Sequence, residues 1–266
     1  MPDTTNAAKL ILVTRNGWPE RSLPESAQPM LRRQPESDPV NALDSNPDAR
    51  VVLAAPLDQA TAWLQELLRR KRHFALACLS EVNGHDLTRL AAAARKRRLQ
   101  PVLLGSWRCL PPVLALHELV VSGVLGQLSK LNITAPPRET LAQAIAAADL
   151  AAFLNPANHP LDCILTTDSQ SEQPTITIAI TGSAGSATAT GALAGDKGAL
   201  TTVFGNRSRT IPLQPGLPDQ TEWRLFLAAP PESQCLMTIN EAADIMAKNN
   251  QPLMRGARGE GRGAFF

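Results

Sequence analysis

Residue types that do chemistry are sparse in this chain and stand apart from one another. Cys78 ends an apolar run, so its thiol would sit at the end of a strand, but thiolate chemistry also needs a cation or a helix N-terminus beside it. A buried, inert thiol is the commoner fate of such a cysteine. His73, His85, His117 and His159 show neither His-x-x-x-His spacing nor paired carboxylates, so no metal site is expected. Gly182-Ser183-Ala184-Gly185 is one residue short of a Gly-x-Ser-x-Gly elbow and lies between two strand patterns, where a hairpin needs glycine anyway. It reads as a turn, and neither a hydrolase nucleophile nor a phosphate cradle is assigned to it.

The most concentrated charges are Arg69-Arg70-Lys71-Arg72 and Arg95-Lys96-Arg97-Arg98. Each ends a helical pattern, where cations meet exposed carbonyls, so both read as solvated faces. An anionic partner that also recruits Arg255, Arg258 and Arg262 is the alternative. Across all 266 residues, Lys+Arg 26 against Asp+Glu 24 leaves +2, too near balance to make nucleic acid or an anionic membrane the main partner. With 4% aromatics and no Tyr, a base-stacking platform is poorly supplied. Cys78, Cys109, Cys163 and Cys235 form no CxxC pair, and no apolar run approaches the ~18–20 residues of a membrane span. The N-terminus also lacks a basic region followed by an apolar one, so a cytoplasmic protein is expected.

The elements that would position these residues alternate in the first half. Lys9–Thr14 reads as a strand and Pro24–Asp48 as loop with one short helix; strand Arg50–Ala55 then leads to a helix carrying Leu57, Ala60, Leu64, Leu67 and Leu68. Strand His73–Leu79, helix Asp86–Arg98, strand Pro101–Trp107 and helix Pro112–Ser122 follow, the pattern of a parallel sheet covered by helices. Past Gly126 come strand Gln127–Thr134 and an Ala-rich helix, Arg138–Leu154. Five further strand patterns then run from Cys163 to Leu213, before a last helix, Glu232–Lys248. Neighbouring strands after one helix indicate an open, mostly antiparallel sheet. The fold class is therefore α/β: an incomplete Rossmann-like domain over 1–123, an open-sheet α+β domain over 124–254, and a mobile Gly/Arg tail over 255–266.

Three segments in order resemble the Gfo/Idh/MocA oxidoreductase family. Asp48-Ala49-Arg50-Val51-Val52-Leu53-Ala54-Ala55-Pro56 is similar to the family strand that ends in Ala-Thr-Pro beside the nicotinamide. Arg72-His73-Phe74-Ala75-Leu76 is similar to the strand leading into the family's Glu-Lys-Pro. Gly105-Ser106-Trp107-Arg108, with the helix that exits through Ser122-Gly123-Val124-Leu125-Gly126, is similar to its Gly-His-x-Arg turn and Ser-Gly-x-Leu-Gly exit. The resemblance implies a dinucleotide-binding domain joined to an open-sheet domain, NAD or NADP as cofactor, and pairing through the open sheet.

The departures from that pattern fall where the family's chemistry sits. Lys9–Thr14 matches the family's second strand, which leaves no residues for the first strand and its Gly-x-Gly-x-x-Gly turn. The catalytic lysine's triplet aligns with Ala77-Cys78-Leu79, and the acid–base Asp-x-x-x-His aligns with Ala142 and Ala146, with Asp149 three residues on. A thiol offers no ammonium charge and alanine does not titrate. These positions imply a degenerate member, a pseudoenzyme without bound cofactor that serves a structural, regulatory or partner-subunit role. The alternative is an active NAD(P)-dependent enzyme whose altered cofactor site is lined by Arg15, Asn16, Ala55, Pro56 and Arg108, or completed by another subunit. The alternation Thr175-Ile176-Thr177-Ile178-Ala179-Ile180 sets isoleucines on one sheet face and small or hydroxyl residues on the other. That face suits a homodimer, or a heteromer with a full-length oxidoreductase.

Overall fold

The computed structural model describes residues 10–14, 30–77, 84–136, 140–157, 160–167, 174–193, 197–215, 218–228, 235–249 and 263–265. In chain order the first elements are β1 (Leu10–Thr14), β2 (Met30–Arg33), α1 (Pro39–Asp44), β3 (Arg50–Ala54), α2 (Thr61–Arg69), β4 (Phe74–Leu76), α3 (Gly84–Lys96) and β5 (Val102–Leu103). Then come α4 (Pro111–Val121), β6 (Leu128–Ala135), α5 (Thr140–Phe153), β7 (Asp162–Thr167), β8 (Thr175–Gly182), β9 (Ser186–Ala192), β10 (Gly198–Phe204) and β11 (Arg207–Pro212). The last are α6 (Pro218–Leu227), β12 (Met237–Thr238), α7 (Ile239–Asn249) and β13 (Gly263–Phe265). Two compact units result, Met1–Ser106 with Asp219–Ala243, and Trp107–Pro218 with Asp244–Phe266. α4 belongs to the second of these units, where it packs across β8, β9 and β10.

The first unit holds a six-stranded sheet in the order β12-β5-β4-β3-β1-β2, parallel except for β12. All five residues of β1 are buried, as a parallel strand covered on both faces requires. This placement corrects one expectation. β1 lies between β2 and β3, with Leu10 in register with both Met30 and Arg50, so it is the inner strand from which the sheet grows both ways. It holds the position of a first strand, not a second. The strand that fills the second position is β2, inside the segment expected to be loop.

Alternate residues of this sheet, Leu10, Leu12, Val52, Ala54, Ala75 and Val102, form a core with Trp223, Phe226 and Leu227 of α6. α7 begins at Ile239, later than expected, because Thr238 and Glu241 form a capping box. The Thr238 N–H donates to Glu241 Oε2 at 2.7 Å and the Glu241 N–H donates to Thr238 Oγ1 at 3.1 Å.

α2 and α3 both end in Schellman turns: the Arg72 N–H reaches the Leu67 carbonyl at 2.9 Å, and the Leu99 N–H reaches that of Ala94 at 3.0 Å. The residue in the left-handed position is Lys71 (φ 54°) in one and Arg98 (φ 57°) in the other, where glycine is strain-free. Lys71→Gly and Arg98→Gly are each expected to stabilise the fold by about 0.5–1 kcal/mol, read as a rise in urea midpoint at unchanged slope.

The second unit holds a seven-stranded sheet in the order β11-β10-β9-β8-β6-β7-β13, antiparallel except between β6 and β7. Ile176, Ile178 and Ile180 are buried on one face. On the other face, hydroxyls pair across strands: Thr134 with Thr166 at 2.7 Å, Thr177 with Thr190 at 3.2 Å, Thr201 with Thr210 at 2.9 Å. The tail expected to be mobile contributes a strand at its end. Gly263–Phe265 runs antiparallel to Cys163–Leu165, while residues 255–262 lie outside the described residues.

Candidate functional site

In an open parallel sheet, ligands bind beyond the carboxyl ends of the strands where the winding reverses. In the first unit that point is the pair β1 and β3. β1 ends at the buried Thr14, and the residues that follow it, Arg15 and Asn16, lie outside the described residues. β3 ends in Ala54 and Ala55, both buried, and in Pro56, whose carbonyl accepts the Gln59 and Ala60 N–H groups as α2 begins. β4 runs into Ala77, and Cys78 lies outside the described residues. Among the described residues, the carboxyl ends of β3 and β4 are apolar.

One polar device does stand there, and the sequence reading missed it. After β5 the chain turns at Gly105, with φ +91°. The Gly105 N–H donates to Glu222 Oε2 and the Ser106 hydroxyl to Glu222 Oε1, each at 2.6 Å, with the Glu222 carboxylate buried on α6. Both carboxylate oxygens are taken by donors of the same turn, so Glu222 fixes the exit of the last parallel strand. Its signal in sequence was Trp223, Phe226 and Leu227 at helical spacing beside it.

The second unit carries a buried ion pair. Arg108 Nε donates to both oxygens of Asp149 at 3.0 Å, and Nη2 donates to Oδ1 as well. The two side chains are 6% and 1% exposed. The guanidinium lies 5.4 Å from the Phe153 ring centroid, within cation–π range, and His117 stacks on that ring at 4.1 Å with an 11° interplanar angle. Burial, with Arg108 adding and Glu118 opposing, pushes the His117 imidazole below its ordinary range. Ala146, one turn before Asp149 on α5, is buried and presents a methyl group, and Ala142 lies in the first turn of that helix. Of the residues expected to line a cofactor, Ala55 and Pro56 end β3 as anticipated, whereas Arg108 is held by Asp149.

Part of the basic runs is held locally. Arg69 and Arg70 both donate to Glu66, Arg70 also pairs with Asp44, and Arg72 donates to the Asn46 and Ala49 carbonyls. The Arg69 hydrogen bond first, then that of Arg70, holds the Glu66 carboxyl down to about 2. Arg95 donates to the Asn240 carbonyl. The glycine cluster is likewise accounted for: Ser183 and Ala184 N–H groups donate to the Gln127 and Leu125 carbonyls at 2.9 and 3.0 Å. Gly182–Gly185 is the β8–β9 hairpin turn, with these two donors facing its own chain. Cys163 is buried and its thiol is pushed up to about 11, chiefly by desolvation, which disfavours the thiolate. No group of three metal-ligating side chains occurs among the described residues, and no described helix is long and apolar enough to cross a membrane.

A dinucleotide's pyrophosphate needs glycines after β1, so that backbone N–H groups can approach it at a helix N-terminus. The sequence that follows β1, Arg15-Asn16-Gly17-Trp18-Pro19, has one glycine, a bulky indole and a proline without an N–H, and it lies outside the described residues.

No family model matches the chain, and no curated protein matches it by sequence. Solved structures do. A protein from Desulfitobacterium hafniense assigned as an NADPH-dependent oxidoreductase superposes with a TM-score of 0.67 at 10% identity, covering 91% of this chain and 93% of that one. The 3-ketoreductase KijD10 from Actinomadura kijaniata, solved with NADP and TDP-benzene, gives 0.58 at 13% identity, covering 90% and 88%. The aldose-aldose oxidoreductase from Caulobacter crescentus, solved with glycerol, gives 0.58 at 14%, covering 90% and 86%. This chain has the fold of these oxidoreductases. A parallel-rich sheet and a second, mostly antiparallel one are common to the fold.

Proposed function

We propose that the protein is a degenerate relative of the Gfo/Idh/MocA oxidoreductases, one that keeps their scaffold, binds no dinucleotide and catalyses no hydride transfer. Its role in this reading is that of a structural or regulatory subunit. The observation that supports the reading is that, among the described residues, β3 and β4 lead into the apolar Ala54-Ala55-Pro56 and Ala77, while the Glu222 carboxylate is engaged by Gly105 and Ser106. In the second unit Ala146 supports it, since a methyl group stands where the resemblance implies a proton donor. Thermal denaturation with 1 mM NADPH tests it. A dissociation constant near 10 µM would stabilise the fold by about 2.7 kcal/mol, so an unmoved midpoint is the expected result and a rise of several degrees would overturn the reading.

One finding favours a second reading, an active NADP-dependent enzyme with an altered phosphate site. β2 ends in Arg32 and Arg33, in parallel register with Leu12 and Val13. About 20 residues past the first turn, on the neighbouring strand, is where an arginine receives the 2′-phosphate of NADP.

The subunit role also rests on the outward face of the second sheet, uncharged across its threonine pairs and suited to burial against another sheet. A homodimer, or a heteromer with a full-length oxidoreductase, through this face is the proposed assembly. Thr177→Arg, at a half-buried position in the centre of the face, is expected to convert a dimer to monomers at micromolar concentration in light scattering. A dimer indifferent to the arginine, or a wild-type monomer that also captures no oxidoreductase, would count against the assembly.

A further inference from the structure

The second sheet ends at β11, and that edge is built unlike the rest. All six residues of Arg207–Pro212 are exposed, and Val203, Phe204 and Ile211 expose 37%, 36% and 38% of their surface on the same hairpin. The Gly205-Asn206 turn, with Gly205 at φ +56°, joins Phe204 to Arg207 in register. A two-residue turn makes that pair a hydrogen-bonded one, so by alternation Arg207, Arg209 and Ile211 aim their backbone groups at β10. Ser208 and Thr210 therefore aim theirs away from the sheet. The side chains of Arg207, Arg209 and Ile211 share one face, and no described carboxylate forms a salt bridge with either arginine.

A second copy is a poor occupant of this edge. Antiparallel pairing through the outward groups would place Arg207 and Arg209 of both copies on one face, where like charges across strands destabilise. Two cations spaced i, i+2 beside an exposed isoleucine complement a strand whose carboxylates share the same spacing. From this charge pattern and the outward backbone groups, which no described strand pairs, we infer that β11 is a docking edge for an extended acidic segment of another protein, which adds to the sheet as a further strand.

A fluorescent peptide alternating Glu with Thr and Val is the probe, and anisotropy the readout. Binding is expected for this peptide and not for its Lys-for-Glu counterpart. Arg207→Glu with Arg209→Glu should weaken it at least tenfold and create affinity for the lysine peptide. Thr210→Pro distinguishes strand addition from charge attraction, because it removes an outward N–H and leaves the β10 pairing intact. Circular dichroism of each variant confirms the fold. Loss of binding in Thr210→Pro supports the inference. Unchanged binding there, or equal binding of both peptides, would each overturn it.

Discussion

Asp149→Ala is expected to destabilise the protein by about 3–5 kcal/mol, lowering its melting temperature by about 6–20 °C. The substitution leaves the Arg108 guanidinium charged in a site where its side chain is 6% exposed. At that exposure little water replaces the bifurcated Nε–H bond and the Nη2 bond that Asp149 accepts, and the Phe153 ring at 5.4 Å restores only part of that loss. The companion variant Arg108→Met/Asp149→Ala removes both charges and should recover most of the stability, since a buried pair exchanged for apolar groups of similar volume is often neutral. If Arg108 were instead held ready for a ligand, Asp149→Ala would leave the melting temperature nearly unchanged. The pair is the structural alternative to a catalytic arginine, and the double-mutant cycle measures it.

Gly182→Ala is expected to cost about 3 kcal/mol, at the upper end for overpacking. A Cβ there would overlap the Leu125 carbonyl oxygen and stand 3.0 Å from its carbonyl carbon, both backbone atoms of a fully buried residue. That carbonyl also accepts the Ala184 N–H, so neither side of the contact can yield without losing a hydrogen bond. Gly205→Ala is the control. Its left-handed φ of +56° costs about 1–2 kcal/mol, but nothing lies within 4 Å of the added methyl group. Chemical denaturation of the two variants separates close approach from backbone conformation.

Much of the architecture was legible because the elements are strongly patterned. β3, β4 and β5 are short apolar runs punctuated by helices with an apolar stripe, and both sheets followed from that rhythm. β2 was not legible: it is a half-exposed edge strand of Met30-Leu31-Arg32-Arg33, with two apolar residues and no alternation, inside a Pro-rich stretch. Losing it shifted β1 by one place, and the expectation of a missing first strand followed from that shift. The start of α7 could have been read from Thr238-Ile239-Asn240-Glu241, a capping box in plain view. The Arg108–Asp149 pair was half legible, since both residues were singled out but 41 positions of chain separate them. Only the fold brings them together.

Direct titration with NADPH and NADH, followed by nicotinamide fluorescence, tests the proposal that this scaffold binds no dinucleotide. The expected result is no saturable enhancement with either nucleotide up to millimolar concentration, in the wild type and in Arg33→Asp alike. Saturable binding of NADPH at micromolar concentration, transferred toward NADH by Arg33→Asp, would contradict the account.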